Sequence, residues 1–298
     1  MAAIKIARDV LVFRKKLKVV SSNHLSNNSF SSLDIRFIMQ VSKGTIRLSK
    51  RIEYEIAKHY NGKINKLEKL YLVVLQSAIY QIDYMSNVPD YAVVSTAVDI
   101  TKMLFPKYAK LTNALLRNMI SNRMLLKLPD VKDSIEYLSI YYSHPEWLVD
   151  RWNKKYDFNS LINLLNHNND VSETWFRYDE GKIDFGMLKS TFEKEECGFK
   201  KHSDLKNFFT MDKPSLLLNS NLFQDGGVSV QSPTNGLIVK LLDPLKGETI
   251  VDLCAAPGGK SISIGESISN TGHVIAYDIN QERINLIIDN IDRNKITN

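Results

Sequence analysis

Asp252-Leu253-Cys254-Ala255-Ala256-Pro257-Gly258-Gly259-Lys260 decides the reading of this chain. The apolar run Thr249-Ile250-Val251 feeds into it, and Ser261-Ile262-Ser263-Ile264 leaves it with a helical pattern. The order is strand, small-residue bend, helix N-terminus. The bend has almost no side-chain bulk, so a ligand can lie against bare backbone amides. The helix start adds unpaired N–H groups and a partial positive charge. Downstream, His273-Val274-Ile275-Ala276-Tyr277 reads as a second strand and ends in Asp278, 20 residues past Gly258. A carboxylate at that place and distance is where a doubly wound α/β fold grips ribose hydroxyls.

The chemistry of the bend narrows the ligand. It is not G-x-G-x-x-G, because Ala255, Ala256 and Pro257 stand where a dinucleotide site has its early glycines. Pro257 has no N–H to offer a phosphate. It is not a P-loop either, although Gly259-Lys260-Ser261 imitates the end of one. These features favour a nucleoside without a pyrophosphate, such as S-adenosylmethionine.

The nonapeptide resembles the first motif of the RsmB/Sun family of 16S ribosomal RNA cytosine-C5 methyltransferases. Other stretches agree with it. Ser143-His144-Pro145-Glu146-Trp147-Leu148 is similar to the family's H-P-x-W-L helix start. Gln224-Asp225-Gly226-Gly227-Val228-Ser229-Val230-Gln231 is similar to its D-G-x-x-x-x-Q strand. Lys110-Leu111-Thr112-Asn113-Ala114-Leu115-Leu116-Arg117 looks like the F-V-N-A-V-L-R helix of a NusB-like domain.

The resemblance implies a multidomain chain. An all-α NusB-like RNA-binding domain is expected over 1–140 and a small α+β linker module over 141–230. The N-terminal part of a Rossmann-like class I methyltransferase α/β domain is expected over 231–298. Cofactor-binding residues by this reading are Cys254, Ala255, Ala256, Pro257, Gly258, Gly259, Lys260 and Asp278, with S-adenosyl-L-methionine as cofactor. Ribosomal RNA is the expected partner; no membrane, no metal and no oligomer are expected.

Charge is distributed unevenly. Residues 1–140 carry 22 Lys and Arg against 11 Asp and Glu, whereas 141–298 carry 17 against 22. A basic half on a mildly acidic remainder suits a polyanion partner, or is a solvated basic surface that binds nothing. No apolar run reaches the 18 or so residues of a membrane span. The N-terminus lacks the h-region and cleavage site of a signal peptide. The two cysteines, Cys197 and Cys254, lie far apart, so no disulfide framework is present and a reducing cytoplasm fits.

Hydrophobic periodicity places helices over Leu67 to Met85, Tyr91 to Leu104 and Ala109 to Ile120. Asn and Ser from Ser21 to Ser32 read as a loop. Asp130 to Ile140 reads as the domain connection. A helix follows His144-Pro145 through Trp147, Leu148 and Trp152, and Thr174 to Tyr178 reads as a strand. Ser232-Pro233 reads as an N-cap with proline in the first turn. Asn280 reads as the cap of a last helix, Ile284 to Ile291. Pro233 to Asn298 then holds strand, helix, strand, helix, which is half of a doubly wound sheet, so C-terminal truncation is the expectation.

Methylation of cytosine C5 needs a thiolate that adds to C6 and makes C5 nucleophilic. By resemblance the nucleophilic and partner cysteines sit in later P-C and T-C motifs that these 298 residues do not contain. No catalytic residue is therefore assigned, and the chain as given is expected to be inactive. Cys254 is expected to be a small buried side chain packing the strand end, and Cys197 to be structural. Gly258 and Gly259 are expected to permit close cofactor approach, and Asp252 to orient the bend through its amides. Lys260 either reaches the cofactor carboxylate or covers the first helical turn. Asp278 is read as a ribose ligand. Arg117 is a candidate RNA contact, Asn113 a candidate inter-helix hydrogen bond, and Trp147 and Trp152 candidate domain-interface core.

Two departures stand out. Gln231-Ser232-Pro233-Thr234-Asn235 has serine where the family has aspartate, and Arg177-Tyr178-Asp179 stands for its R-V-N. The expected activity is S-adenosyl-L-methionine-dependent cytosine-C5 methylation of small-subunit ribosomal RNA. The alternative is a NusB-like RNA-binding or antitermination module without catalysis. A nicotinamide-dependent Rossmann enzyme is the third reading, disfavoured by the bend.

Overall fold

A computed structural model describes residues 1–26, 29–122, 134–269 and 271–298. It divides into two compact units, Met1–Asp170 and Val171–Asn298.

The first unit is helical among its described residues. Seven helices come first: α1 (Ala2–Leu11), α2 (Leu17–Ser26), α3 (Ser32–Arg47), α4 (Ser49–His59), α5 (Lys69–Tyr84), α6 (Asp90–Leu104) and α7 (Ala109–Ser121). Helix α5 is the centre: Tyr71, Leu75, Ala78, Ile79 and Ile82 recur at helical spacing and are buried against Ile52, Ile56 and Leu116. The Tyr71 hydroxyl stays inside this core by bonding Thr112 Oγ1 at 3.0 Å, and burial pushes its pKa up to about 12. Helix α3 starts with a capping box in which the Ser31 hydroxyl accepts from the Asp34 amide and the Asp34 carboxylate accepts from the Ser31 amide.

Helices α8 (Ile135–Tyr141), α9 (Glu146–Asn153) and α10 (Phe158–Asn169) complete the unit. Their core is Leu138, Val149, Leu161 and Leu165. Arg51 of α4 ties them to the earlier helices. It donates to the Tyr141 carbonyl at 3.3 Å, lies 4.8 Å from the Tyr141 ring centroid and pairs with the buried Glu55 at 3.1 Å.

The structure departs from the sequence expectations in several places. The Ser21 to Ser32 stretch is not all loop, because α2 continues through Ser26. The boundary read at residue 140 falls inside α8, and α10, read as part of the middle module, packs with the helical unit. Tertiary packing overrides the weak local signal of Asn and Ser there. Residues 130–133 of the expected connection lie outside the described residues.

The second unit opens with β1 (Trp175–Tyr178), α11 (Phe185–Lys194), β2 (Phe199–Lys201) and β3 (Phe208–Met211). The short helices α12 (Ser215–Leu218) and α13 (Asn221–Gln224) follow, then β4 (Val228–Val230). The four strands form an antiparallel sheet in the order β2-β3-β1-β4, with Arg177 opposite Phe208 on one side and Ser229 on the other. Phe176, Phe192 and Phe209 fill its core.

The chain then runs through α14 (Pro233–Leu242), β5 (Thr249–Asp252), α15 (Gly259–Ser267), β6 (His273–Ala276) and α16 (Gln281–Asn294). Strands β5 and β6 are parallel, with Asp252 opposite Ala276. No helix among the described residues is long and apolar enough to cross a membrane.

Candidate functional site

Pairing of β5 with β6 continues one step beyond both strands. The Tyr277 amide donates to the Asp252 carbonyl at 2.8 Å, and the Ala255 amide donates to the Tyr277 carbonyl at 2.9 Å. This brings the bend and the end of the second strand side by side. Asp252 organises the bend from below. Its Oδ1 accepts from the Cys254 amide at 3.3 Å and from Lys260 Nζ at 2.8 Å, while its Oδ2 accepts from Lys260 Nζ at 2.7 Å and from the Ser261 hydroxyl at 3.0 Å. A buried carboxylate at a helix N-terminus also meets the favourable end of the helix dipole.

Gly258 turns the chain into α15 with φ of +103°, a conformation that an L side chain rarely adopts. Its amide donates to the Ala255 carbonyl at 2.7 Å, closing the turn. The Ala256–Pro257 peptide is cis. The first N–H groups of α15 have no partners within the helix, which suits an acceptor-rich ligand at this end.

Asp278 lies beside the bend, and its carboxylate points into it. Oδ2 accepts from the Ala256 amide at 3.2 Å and Oδ1 from the Asn280 amide at 3.1 Å. The Arg283 guanidinium stands 3.4 Å from Oδ2 and donates to the Ala256 carbonyl at 2.8 Å. The Asp278 side chain is 4% exposed. In this structure the carboxylate therefore braces the bend.

The structure thus brings Cys254 to Lys260 and Asp278 into one place. Lys260 takes neither sequence-derived alternative outright: it spans the first helical turn to hold Asp252. Three expectations are corrected. Cys254 is exposed, because the bend turns its side chain out of the strand-end packing, and Cys197 is the buried thiol. Asn113 accepts from Arg117 Nε at 3.0 Å within its own helix instead of bridging to another, since the two lie one helical turn apart. Trp147 is 66% exposed on α9; Trp152, one and a half turns further on, packs into the α8–α10 cluster and against the His144 ring at 5.8 Å.

Sequence reasoning missed Arg283, which covers the bend, and gave Arg177 and Gln231 no role beyond motif positions. Gln231 donates from Nε2 to the Gly259 carbonyl at 3.2 Å, and Arg177 Nε donates to Gln231 Oε1 at 2.6 Å. Nothing in their local spacing announces these contacts, which span 28 and 54 residues.

Residues 2–121 match the family model described as the NusB family. Residues 144–216 match the ferredoxin-like domain of RsmF/B-like methyltransferases, and residues 239–298 match the 16S rRNA methyltransferase RsmB/F model. The chain is 29% identical over 298 residues to the probable ribosomal RNA small subunit methyltransferase B of Bacillus subtilis, a match covering 99% of this chain and 65% of that protein. It is 28% identical over 269 residues to ribosomal RNA small subunit methyltransferase B of Yersinia enterocolitica, covering 89% and 60%. The chain therefore spans about three fifths to two thirds of the length of these curated relatives. The crystal structure of PH0851 shares the fold, with a TM-score of 0.73 at 20% identity over 99% of this chain and 66% of that one. In chain order, then, this protein is built from a NusB-family domain followed by ferredoxin-like and methyltransferase segments of the RsmB/F type, the domain series of the RsmB/Sun methyltransferases.

Proposed function

We propose that this chain holds S-adenosylmethionine at the bend between β5 and α15 and serves methyl transfer to C5 of a cytosine in small-subunit ribosomal RNA, in the cytoplasm. The bend carries the reading. It combines alanines and glycines, a left-handed Gly258 and a helix start, which is a cradle that side chains would fill. When bound, the cofactor supplies an electrophilic methyl group on a sulfonium. Backbone of Ala255, Ala256, Pro257, Gly258 and Gly259 would lie against it, flanked by Cys254 and Lys260. Asp278 would offer its carboxylate to the ribose hydroxyls while keeping the Ala256 amide; a carboxylate has about four acceptor sites. Lys260 braces the bend through Asp252 and leaves the cofactor carboxylate to backbone amides.

Specificity for C5 rests on the resemblance alone; the relatives are named for methylation of small-subunit ribosomal RNA. Neither cysteine suits the nucleophile. Cys197 is buried in the module core, with its thiol 3.6 Å from the Gly198 carbonyl. Cys254 sits in the bend itself, beside the proposed cofactor and not beside a base. Residues 1–298 are therefore proposed to bind cofactor and RNA without turnover. The RNA reading is supported by the charge surplus of the helical unit, with Arg36 and Lys43 on α3 and Lys110 and Arg117 on α7 all exposed.

Calorimetry of the full chain with S-adenosylhomocysteine is expected to show one site that NAD does not compete for. No binding heat removes the cofactor reading. Filter binding of small-subunit ribosomal RNA is expected to weaken steeply with salt. Transfer of labelled methyl to that RNA by residues 1–298 would overturn the assignment of the two cysteines.

A further inference from the structure

One buried guanidinium reaches both ends of the helix that starts at the bend. Arg177 sits on β1 and is 4% exposed. Its NH1 and NH2 grip the Glu266 carboxylate in the last turn of α15, the NH2 contact being 3.2 Å. Its Nε donates to Gln231 Oε1 at 2.6 Å, and Gln231 Nε2 donates to the carbonyl of Gly259, the first residue of α15, at 3.2 Å. Gln231 is equally buried, and its own amide pairs with the Trp175 carbonyl at 3.1 Å, extending β4 by one residue.

The orientation of the Gln231 amide is forced. A guanidinium only donates and a peptide carbonyl only accepts, so the amide oxygen must face Arg177 and the nitrogen must face Gly259. A bidentate Arg–carboxylate pair with low exposure is geometrically exacting. The chain Glu266–Arg177–Gln231–Gly259 therefore fixes α15 at its last turn and at its first against the antiparallel sheet. The Gly259 peptide is part of the bend, so its position sets where the neighbouring N–H groups point.

We propose that Arg177 and Gln231 are positioning residues for the cofactor bend, acting through the Gly259 carbonyl. This rests on the reading of the bend as a cofactor site. The proposal explains why the module's sheet carries a buried arginine and glutamine with no apolar role: they transmit the geometry of that sheet to the ligand cradle.

Gln231→Glu tests it in the full chain. The carboxylate still accepts from Arg177 but cannot donate to Gly259, and it places like partial charges face to face. Gln231→Met removes both bonds at similar volume. Two readouts separate positioning from stability. Hydrogen exchange of the Cys254 and Gly259 to Ser261 amides, without ligand, is expected to speed up roughly three- to tenfold in both variants, about the worth of one neutral hydrogen bond. S-adenosylhomocysteine affinity, measured well below the thermal midpoint of each chain, is expected to fall by a similar factor in Gln231→Glu. Unchanged exchange at the bend in both variants overturns the proposal. So does S-adenosylhomocysteine affinity equal to wild type in both variants, where the wild-type chain binds. A wild-type chain that binds no S-adenosylhomocysteine defeats the cofactor reading instead, and the exchange measurement still decides the positioning role. Should Gln231→Glu fail to fold, Gln231→Met carries both measurements.

Discussion

The helical unit and the βαβα end of the second unit are held by different forces. In the first, Ile52, Ile56, Leu75 and Leu116 are fully buried and interdigitate, so apolar burial dominates. Around the bend the apolar cluster is small, Ala255, Ala256 and Ile287, while Leu253 is 72% exposed and Tyr277 57%. Much of what orients the bend is polar. Asp252, Asp278, Arg177 and Arg283 each bind backbone or a neighbouring charge. Non-directional burial makes a rigid platform; directional bonds set individual amides where a ligand can use them.

The comparison can be broken by mutation. Leu75→Ala should cost about 2–5 kcal/mol in urea unfolding, because a cavity opens in a packed core. Leu253→Ala should stay within about 0.5 kcal/mol, since little burial is lost. Equal costs at the two sites would abolish the distinction.

Asp252→Asn should cost about 1–3 kcal/mol in thermal unfolding of the second unit, because Lys260 loses its carboxylate and part of the bend's acceptor set goes with it. A negligible cost would show that the bend does not depend on its polar anchor.

Gly258→Ala should cost about 1–2 kcal/mol from the left-handed backbone alone, since a Cβ there finds only ordinary contact at 3.5 Å from Ile287. Cofactor-analogue affinity should fall with it. A neutral result would mean the turn relaxes without loss.

The smallest effect belongs to the helical unit and is set by pH. Burial holds His144 below its ordinary pKa of 6.5, and its Nδ1 donates to the Tyr142 carbonyl at 2.7 Å. A depressed histidine favours the neutral form in the folded state. Its contribution is full above 6.5 and is lost as pH falls through 6.5 towards the lowered folded value. Acidification from pH 7.5 to 5.5 should lower the unit's unfolding midpoint slightly, and an NMR titration should place His144 below 6.5. A midpoint above 6.5 would reverse the sign.

Much of this was legible in the sequence, for reasons that differ by element. Helix α5 and both parallel strands announce themselves through periodicity, and Gly258 and Ser232-Pro233 through backbone preference. The bend's internal anchor was legible in part: the Asp252 bond to the Cys254 amide was expected, its bonds to the Lys260 and Ser261 side chains were not. Arg177 and Arg283 were not. Their partners come from other strands and helices, and a single sequence encodes such contacts only through the finished fold. Trp147 misled because a large aromatic on an amphipathic helix usually faces inward, and this one does not.

Gly226 bears on how firmly the frame around the bend is held. It sits at φ +67° against the backbone of Arg293 and Asn294, so tightly that no Cβ fits. Beside it Arg293 donates to the Val228 carbonyl at 3.1 Å, and Lys182 donates to the Asn294 carbonyl at 2.8 Å. Helix α16 is thereby bolted to the antiparallel layer, and with it the frame that carries Asp278. At the bend itself the half-exposed Arg283 guanidinium holds the Ala256 carbonyl by a single side-chain bond, a far lighter tie than those that fasten the helix.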